Sequence, residues 1–158
     1  MKYQRLTREQ FEELHQEFIN FLATQSITAS EWKELKVNKS DIVEQELDIF
    51  SDLIWEGVLK KVRYLENISA YSMQLFHIGD KKMELIAVKL THKSHDLTTK
   101  SGFQWFKENL KEDSVEFFTA SKEFSEDKYE DIFQLILQGS VITKGALYQS
   151  LDKFIKAT

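Results

Sequence analysis

Apolar positions in the first third of the chain recur at helical spacing. Phe11, Leu14, Phe18, Phe21 and Leu22 predict a helix over about 8–25, and Trp32 and Leu35 a short second one. The longest stripe runs through Val43, Leu47, Phe50, Ile54, Val58, Val62 and Leu65, widened by Ile42, Ile49 and Leu53. It predicts a third helix over 39–66, packed by more than one neighbour. The period then changes to two. Segments 71–78 and 82–90, joined by Gly79-Asp80-Lys81, read as a β-hairpin. Apolar side chains fall on both faces of the second strand, as expected of an interior strand. A helix opening at Ser101-Gly102-Phe103-Gln104 and running through Leu110, a strand over 114–120, and helices over 126–138 and 144–156 complete the pattern.

The predicted class is α+β. A helical N-terminal third packs on a small, mainly antiparallel three-stranded sheet, in the order ααα-ββ-α-β-αα.

Five helix starts follow one local rule. Leu6-Thr7-Arg8-Glu9-Gln10-Phe11 has a capping threonine, a glutamine three residues on, and two flanking apolar residues. The pattern returns at Ile27-Thr28 to Trp32 and Val37-Asn38 to Ile42. Without the third-position partner it recurs at Phe124-Ser125 to Tyr129 and Ile142-Thr143 to Leu147. The opening MKYQRLTREQFEELHQEFINFLATQSI, with ELDIFSDLIWEGVLKKVRYLE after it, resembles a family of short bacterial proteins of undescribed function. The resemblance covers nearly the whole chain and implies a cytoplasmic bacterial protein whose single domain is residues 1–158. It brings no catalytic residue with it.

Composition narrows the chemistry. The 158 residues include no cysteine, which excludes disulfides, thiolate metal sites and cysteine nucleophiles. There is no proline either, so no Pro-rich linker marks a domain boundary. MKYQRLTREQ turns polar too early for a signal peptide, and no apolar run is long enough for a membrane helix. The expected location is therefore cytoplasmic. A net charge of −5 argues against a nucleic-acid binder, which needs a basic footprint. The one segment in which bases outnumber acids is 67–111, which also holds three of the four histidines.

Four groupings carry possible chemistry. His92 and His95 lie three apart, and His77 sits on the hairpin; with Asp80 or Asp96 they form a candidate nitrogen–oxygen metal set. The bland alternative is two exposed loop histidines and a His77 paired across the hairpin with Glu84 or Lys82. It is preferred, and no metal is expected. Glu44, Asp48, Asp52 and Glu56 line one side of the long helix, where a solvated face is the ordinary explanation. The helix–hairpin–helix order resembles the core of metal nucleases, but alanine stands where the acid of a Glu-x-Lys pair belongs, at Ala87. Trp32, Trp55 and Trp105 are candidates for an interface between copies of the chain.

The last grouping lies before the helix at Ser101. His92, Lys93, His95, Thr99, Lys100, Ser101 and Gly102 gather charge, hydroxyls and free backbone N–H groups where the helix dipole favours an anion. Ser101 as a simple cap is the plainer alternative. No phosphate-binding glycine loop or hydrolase motif is present. The expected function is a non-enzymatic binding or accessory protein that recognises a protein partner or a small anionic ligand. It uses no cofactor and contacts neither nucleic acid nor membrane. The alternatives are an enzyme built on His77, His92 and His95, and a homo-oligomeric structural protein.

Overall fold

The computed structural model describes residues 1–158 and is α+β, with seven helices and five strands. The backbone divides into two compact units, residues 1–60 and 61–158.

The first unit is helical: α1 (Arg8–Glu13), α2 (His15–Thr24), α3 (Ala29–Asn38) and α4 (Ser40–Lys61), whose last residue lies past the division. The single helix expected over 8–25 is two, because the backbone leaves helical geometry at Leu14 (φ −98°, ψ 25°). Phe11 and Phe18, on either side of that break, both reach Phe50, at ring-centroid distances of 5.9 and 5.0 Å. Leu6, Phe21, Leu22, Trp32 and Phe50 form the buried centre of this unit. Aromatic pairs of this kind add about 0.5–1.5 kcal/mol each beyond area burial.

Thr7 caps α1 through a complete capping box with Gln10, and Thr28 caps α3 by accepting from the Glu31 N–H. Asn38 caps nothing; it is the last residue of α3, and α4 starts only two residues later.

The second unit holds β1 (Tyr64–Ile68), β2 (Ser72–Ile78), β3 (Lys82–Leu90), α5 (Lys100–Glu108), β4 (Val115–Glu123), α6 (Lys128–Leu137), β5 (Val141–Thr143) and α7 (Ala146–Ala157). The strands form one antiparallel sheet in the order β4-β3-β2-β1-β5. Five strands replace the expected three. The long helix stops at Lys61 rather than at 66, and residues 64–68, the first three of them expected in its last turn, pair with β2 on one side and β5 on the other. Val62 and Leu65 satisfy helical spacing, but ladder bonds on both edges win the segment for the sheet. At the other end Ile142-Thr143 is strand rather than helix start. Gly145, with φ +85°, precedes α7, and the Thr143 hydroxyl accepts the Gly145 N–H. A Cβ at Gly145 would fall 2.3 Å from the Tyr64 ring, so only glycine fits there.

One sheet face carries Met73, Leu75, Ile86 and Val88 and is covered by Phe106 of α5 and by Tyr148 and Leu151 of α7. On the other face Phe76, Ile78 and Met83 are buried, while Gln74, Phe118 and Ala120 are exposed. β3 is thus an interior strand with buried residues on both faces. The helix expected at 126–138 begins at Lys128, capped by Asp127. Ser125 serves instead as a partner for Asp131, which accepts from both its N–H and its hydroxyl.

Candidate functional site

The loop before α5 comes first among the expected sites. Asp96 organises it. The Asp96 carboxylate accepts the Thr98 N–H at 2.8 Å and the Thr98 hydroxyl, which holds its pKa below the usual carboxylate value. The Asp96 carbonyl accepts both the N–H and the hydroxyl of Thr99, at 3.0 and 2.7 Å. Thr99, not Ser101, is the helix cap, and its hydroxyl accepts the Gly102 N–H at 3.0 Å. Gly102 is buried, and a Cβ there would lie 1.8 Å from the Asp96 carbonyl oxygen. The glycine is explained by that close backbone approach. Lys100 and Ser101 are exposed at the start of the helix. His92 and Lys93 are exposed as well, with the Lys93 ammonium 5.7 Å from the Tyr71 ring centroid.

The histidines have separate surroundings. His95 stacks flat on Trp105, with centroids 4.0 Å apart and planes at 8°. His77 faces Glu84 across the hairpin, with Nδ1 3.4 Å from the carboxylate, and lies beside the rings of Tyr64 and Tyr148. No three His, Asp or Glu side chains converge in metal-ligand geometry. The residues that a nuclease-like core would use here, Asp80, Glu84 and Lys89, are separated too. Glu84 is an odd number of residues from Lys89, so the two project from opposite faces of β3.

The acidic stripe on α4 has a use that its spacing did not reveal. Asp52 accepts the backbone N–H groups of Lys2 and Tyr3, at 2.7 and 2.9 Å. Arg5 donates to Asp48 at 2.8 Å and to Glu44 at closer range, and these bonds raise its pKa further. Between them the fully buried Ser51 accepts the Leu6 N–H at 3.0 Å and donates to the Leu47 carbonyl. The Trp55 indole N–H reaches the Gln4 carbonyl at 3.0 Å. Three of the four stripe carboxylates therefore strap residues 2–6 along α4. Acids alone do not reveal this; the matching signal is Arg5, a base in the segment before the first cap.

Beside that strap lies an apolar concavity of the helical unit, an open groove of about 700 Å³. Phe11, Phe18, Leu22, Ile27, Trp32, Val43 and Leu47 line it, drawn from α1 to α4. Its remaining lining includes Arg5, Arg8, Lys33 and Lys36 against a single carboxylate, Glu12. Arg5 is answered by Glu44 and Asp48, and Arg8 by Glu12 at 3.4 Å across an exposed pair. Lys33 and Lys36 face no carboxylate; the Lys36 ammonium sits 5.9 Å from the Trp32 ring centroid. Sequence reasoning assigned the groove aromatics to the core, which most of them also join. The missed signal is Lys33 and Lys36 flanking Trp32 on a short, weakly apolar helix.

No helix is long and apolar enough to cross a membrane. Residues 1–156 match a family described as a family of unknown function (DUF6495). No curated protein and no solved structure is significantly similar to the chain.

Proposed function

We propose that this chain, which belongs to that family of unknown function, is a non-enzymatic binding module that takes an acidic amphipathic helix of a protein partner into its N-terminal groove. The observation that carries the reading is an open aromatic and aliphatic groove whose rim holds two unanswered lysines. Helix-in-groove recognition needs these two features: an apolar floor for residues spaced i, i+3, i+4 and i+7, and a rim that orients the helix by charge. The half-buried Phe11 and Phe18 support it as the anchors, since aromatic side chains in a surface depression contribute much of the energy in such interfaces. The same carboxylates that strap residues 2–6 leave the rim net positive by neutralising only Arg5.

A synthetic helix of about 18 residues (five turns), with leucines on one face and glutamates on the other, is the probe. Calorimetric titration should give saturable binding that weakens with added salt, as expected of exposed charge pairs. A lysine-for-glutamate version of the peptide should bind about tenfold more weakly, as should a Lys33→Glu/Lys36→Glu protein with the original peptide. Equal binding of both peptides, or no binding of either, overturns the reading.

A further inference from the structure

β4 is an edge strand of nine residues, Val115–Glu123, and it contains neither glycine nor proline. The other edge, β5, has only three residues. A long regular edge is a template for another strand unless something blunts it.

The hydrogen-bond phase of this edge follows from its ends. Thr91 donates to the Ser114 carbonyl and Phe124 to the Lys81 carbonyl, while the register between β3 and β4 runs unbroken from Lys82↔Glu123 to Leu90↔Val115. Hydrogen-bonded pairs alternate along an antiparallel ladder. Even-numbered residues of β4 therefore turn their backbone groups inward to β3. Phe117, Thr119 and Ser121 turn theirs to the free side.

The strand VEFFTASKE is complementary to itself. Set antiparallel against its own copy about Thr119, it places Glu116 opposite Lys122 twice, Phe118 opposite Ala120 twice, and Thr119 opposite Thr119. Thr119↔Thr119 and Phe117↔Ser121 then become the hydrogen-bonded pairs. Glu116↔Lys122 and Phe118↔Ala120 fall at the non-hydrogen-bonded positions, where facing side chains come closest. Shifting the axis by one residue sets Glu116 against Ala120 or Phe118 against Lys122, and either shift loses both charge pairs. Neither Glu116 nor Lys122 makes an ion pair within the chain. Phe118 is 55% exposed on the sheet face.

The geometry points to a second copy of this chain as the partner of β4, joined through a two-fold axis at Thr119 so that the two sheets continue into one. β4 shares no residue with the groove proposed above, and its test does not depend on that groove.

Sedimentation equilibrium on the full chain over a range of concentrations tests it, with charge reversal as the probe. The wild-type protein should associate reversibly to a dimer. Glu116→Lys and Lys122→Glu each turn two attractive pairs into two repulsive ones, and each should weaken the dimer about tenfold or more. The double variant Glu116→Lys/Lys122→Glu should restore it, and matching circular dichroism melts verify that all variants fold. In the wild type, amide exchange at Phe117, Thr119 and Ser121 should slow as protein concentration rises. A monomer at every concentration overturns the proposal, and so does a dimer that the single reversals leave intact or the double variant fails to rescue.

Discussion

Gly102→Ala sets two effects of opposite sign against each other. Gly102 lies in the first turn of α5, and alanine in place of glycine within a helix ordinarily gains up to about 1 kcal/mol. The added Cβ, however, would meet the Asp96 backbone at 1.8 Å from its oxygen, 2.5 Å from its carbon and 2.8 Å from its nitrogen. Relief requires the Asp96 peptide to move by more than 1 Å (roughly the shortfall from ordinary van der Waals contact). That peptide is held from both sides: its carbonyl accepts twice from Thr99, and the next residue, Leu97, is buried with its N–H bonded to the Ala70 carbonyl. Moving it strains the Thr99 cap, worth about 1 kcal/mol, in addition to an overpacking cost of about 1–3 kcal/mol. The clash wins, for a net loss of about 1–3 kcal/mol. Urea unfolding followed by circular dichroism would show this as a midpoint lowered by about 0.5–1.5 M, for a slope near 2 kcal/mol/M. Ser101→Ala, exposed one residue earlier, should leave the midpoint nearly unchanged. A Gly102→Ala protein as stable as the wild type would refute the close approach and reopen Gly102 as a point of ligand access.

Ser51→Ala should cost about 1–3 kcal/mol, because the Leu6 N–H loses its acceptor in a buried position; the same urea experiment measures it. Thr7→Ala removes one half of a capping box and should cost about 1 kcal/mol, whereas Phe18→Ala, which leaves a gap among Phe11, Phe21, Trp32 and Phe50, should cost about 3 kcal/mol. Thr7→Ala proving the larger change would contradict the packing. Burial, helped by the nearby Glu84, Asp152 and Tyr64, pushes the Tyr148 hydroxyl from 10.0 up to about 12. Its raised folded pKa contributes stability that is fully present below pH 10 and lost between pH 10 and about 12. Ultraviolet titration of the phenolates should show one of the five tyrosines ionising last.

The helical spacing and the capping signals of the first unit were legible because they are local. Thr7 and Thr28 cap where their neighbours indicate, and the hairpin turn falls at Gly79-Asp80-Lys81 as its residues suggest. The failures are long-range. Nothing within residues 64–68 distinguishes a strand from one more helical turn; the distinction comes from β2 and from β5, which lies some 75 residues on along the chain. β5 is too short to display alternation at all. At the sites, His77 opposite Glu84 follows from hairpin register, which a two-residue period makes readable. The Thr99 cap was missed because Ser101 offers the same hydroxyl two residues later, and the choice rests on where the Asp96 carbonyl lies. The groove was hidden for a different reason. Its aromatic lining has the spacing of a core, and only the assembled helices show which side of that core is open.

The most direct test of the binding function is a heteronuclear NMR titration of the labelled full chain with the glutamate-faced amphipathic peptide. The account predicts saturable shifts concentrated at Phe11, Phe18, Ile27, Trp32, Lys33, Lys36 and Leu47, including the Trp32 indole N–H, with Trp105 and its surroundings unmoved. Shifts absent from those residues at peptide saturation, or centred on residues 92–102 instead, would contradict it.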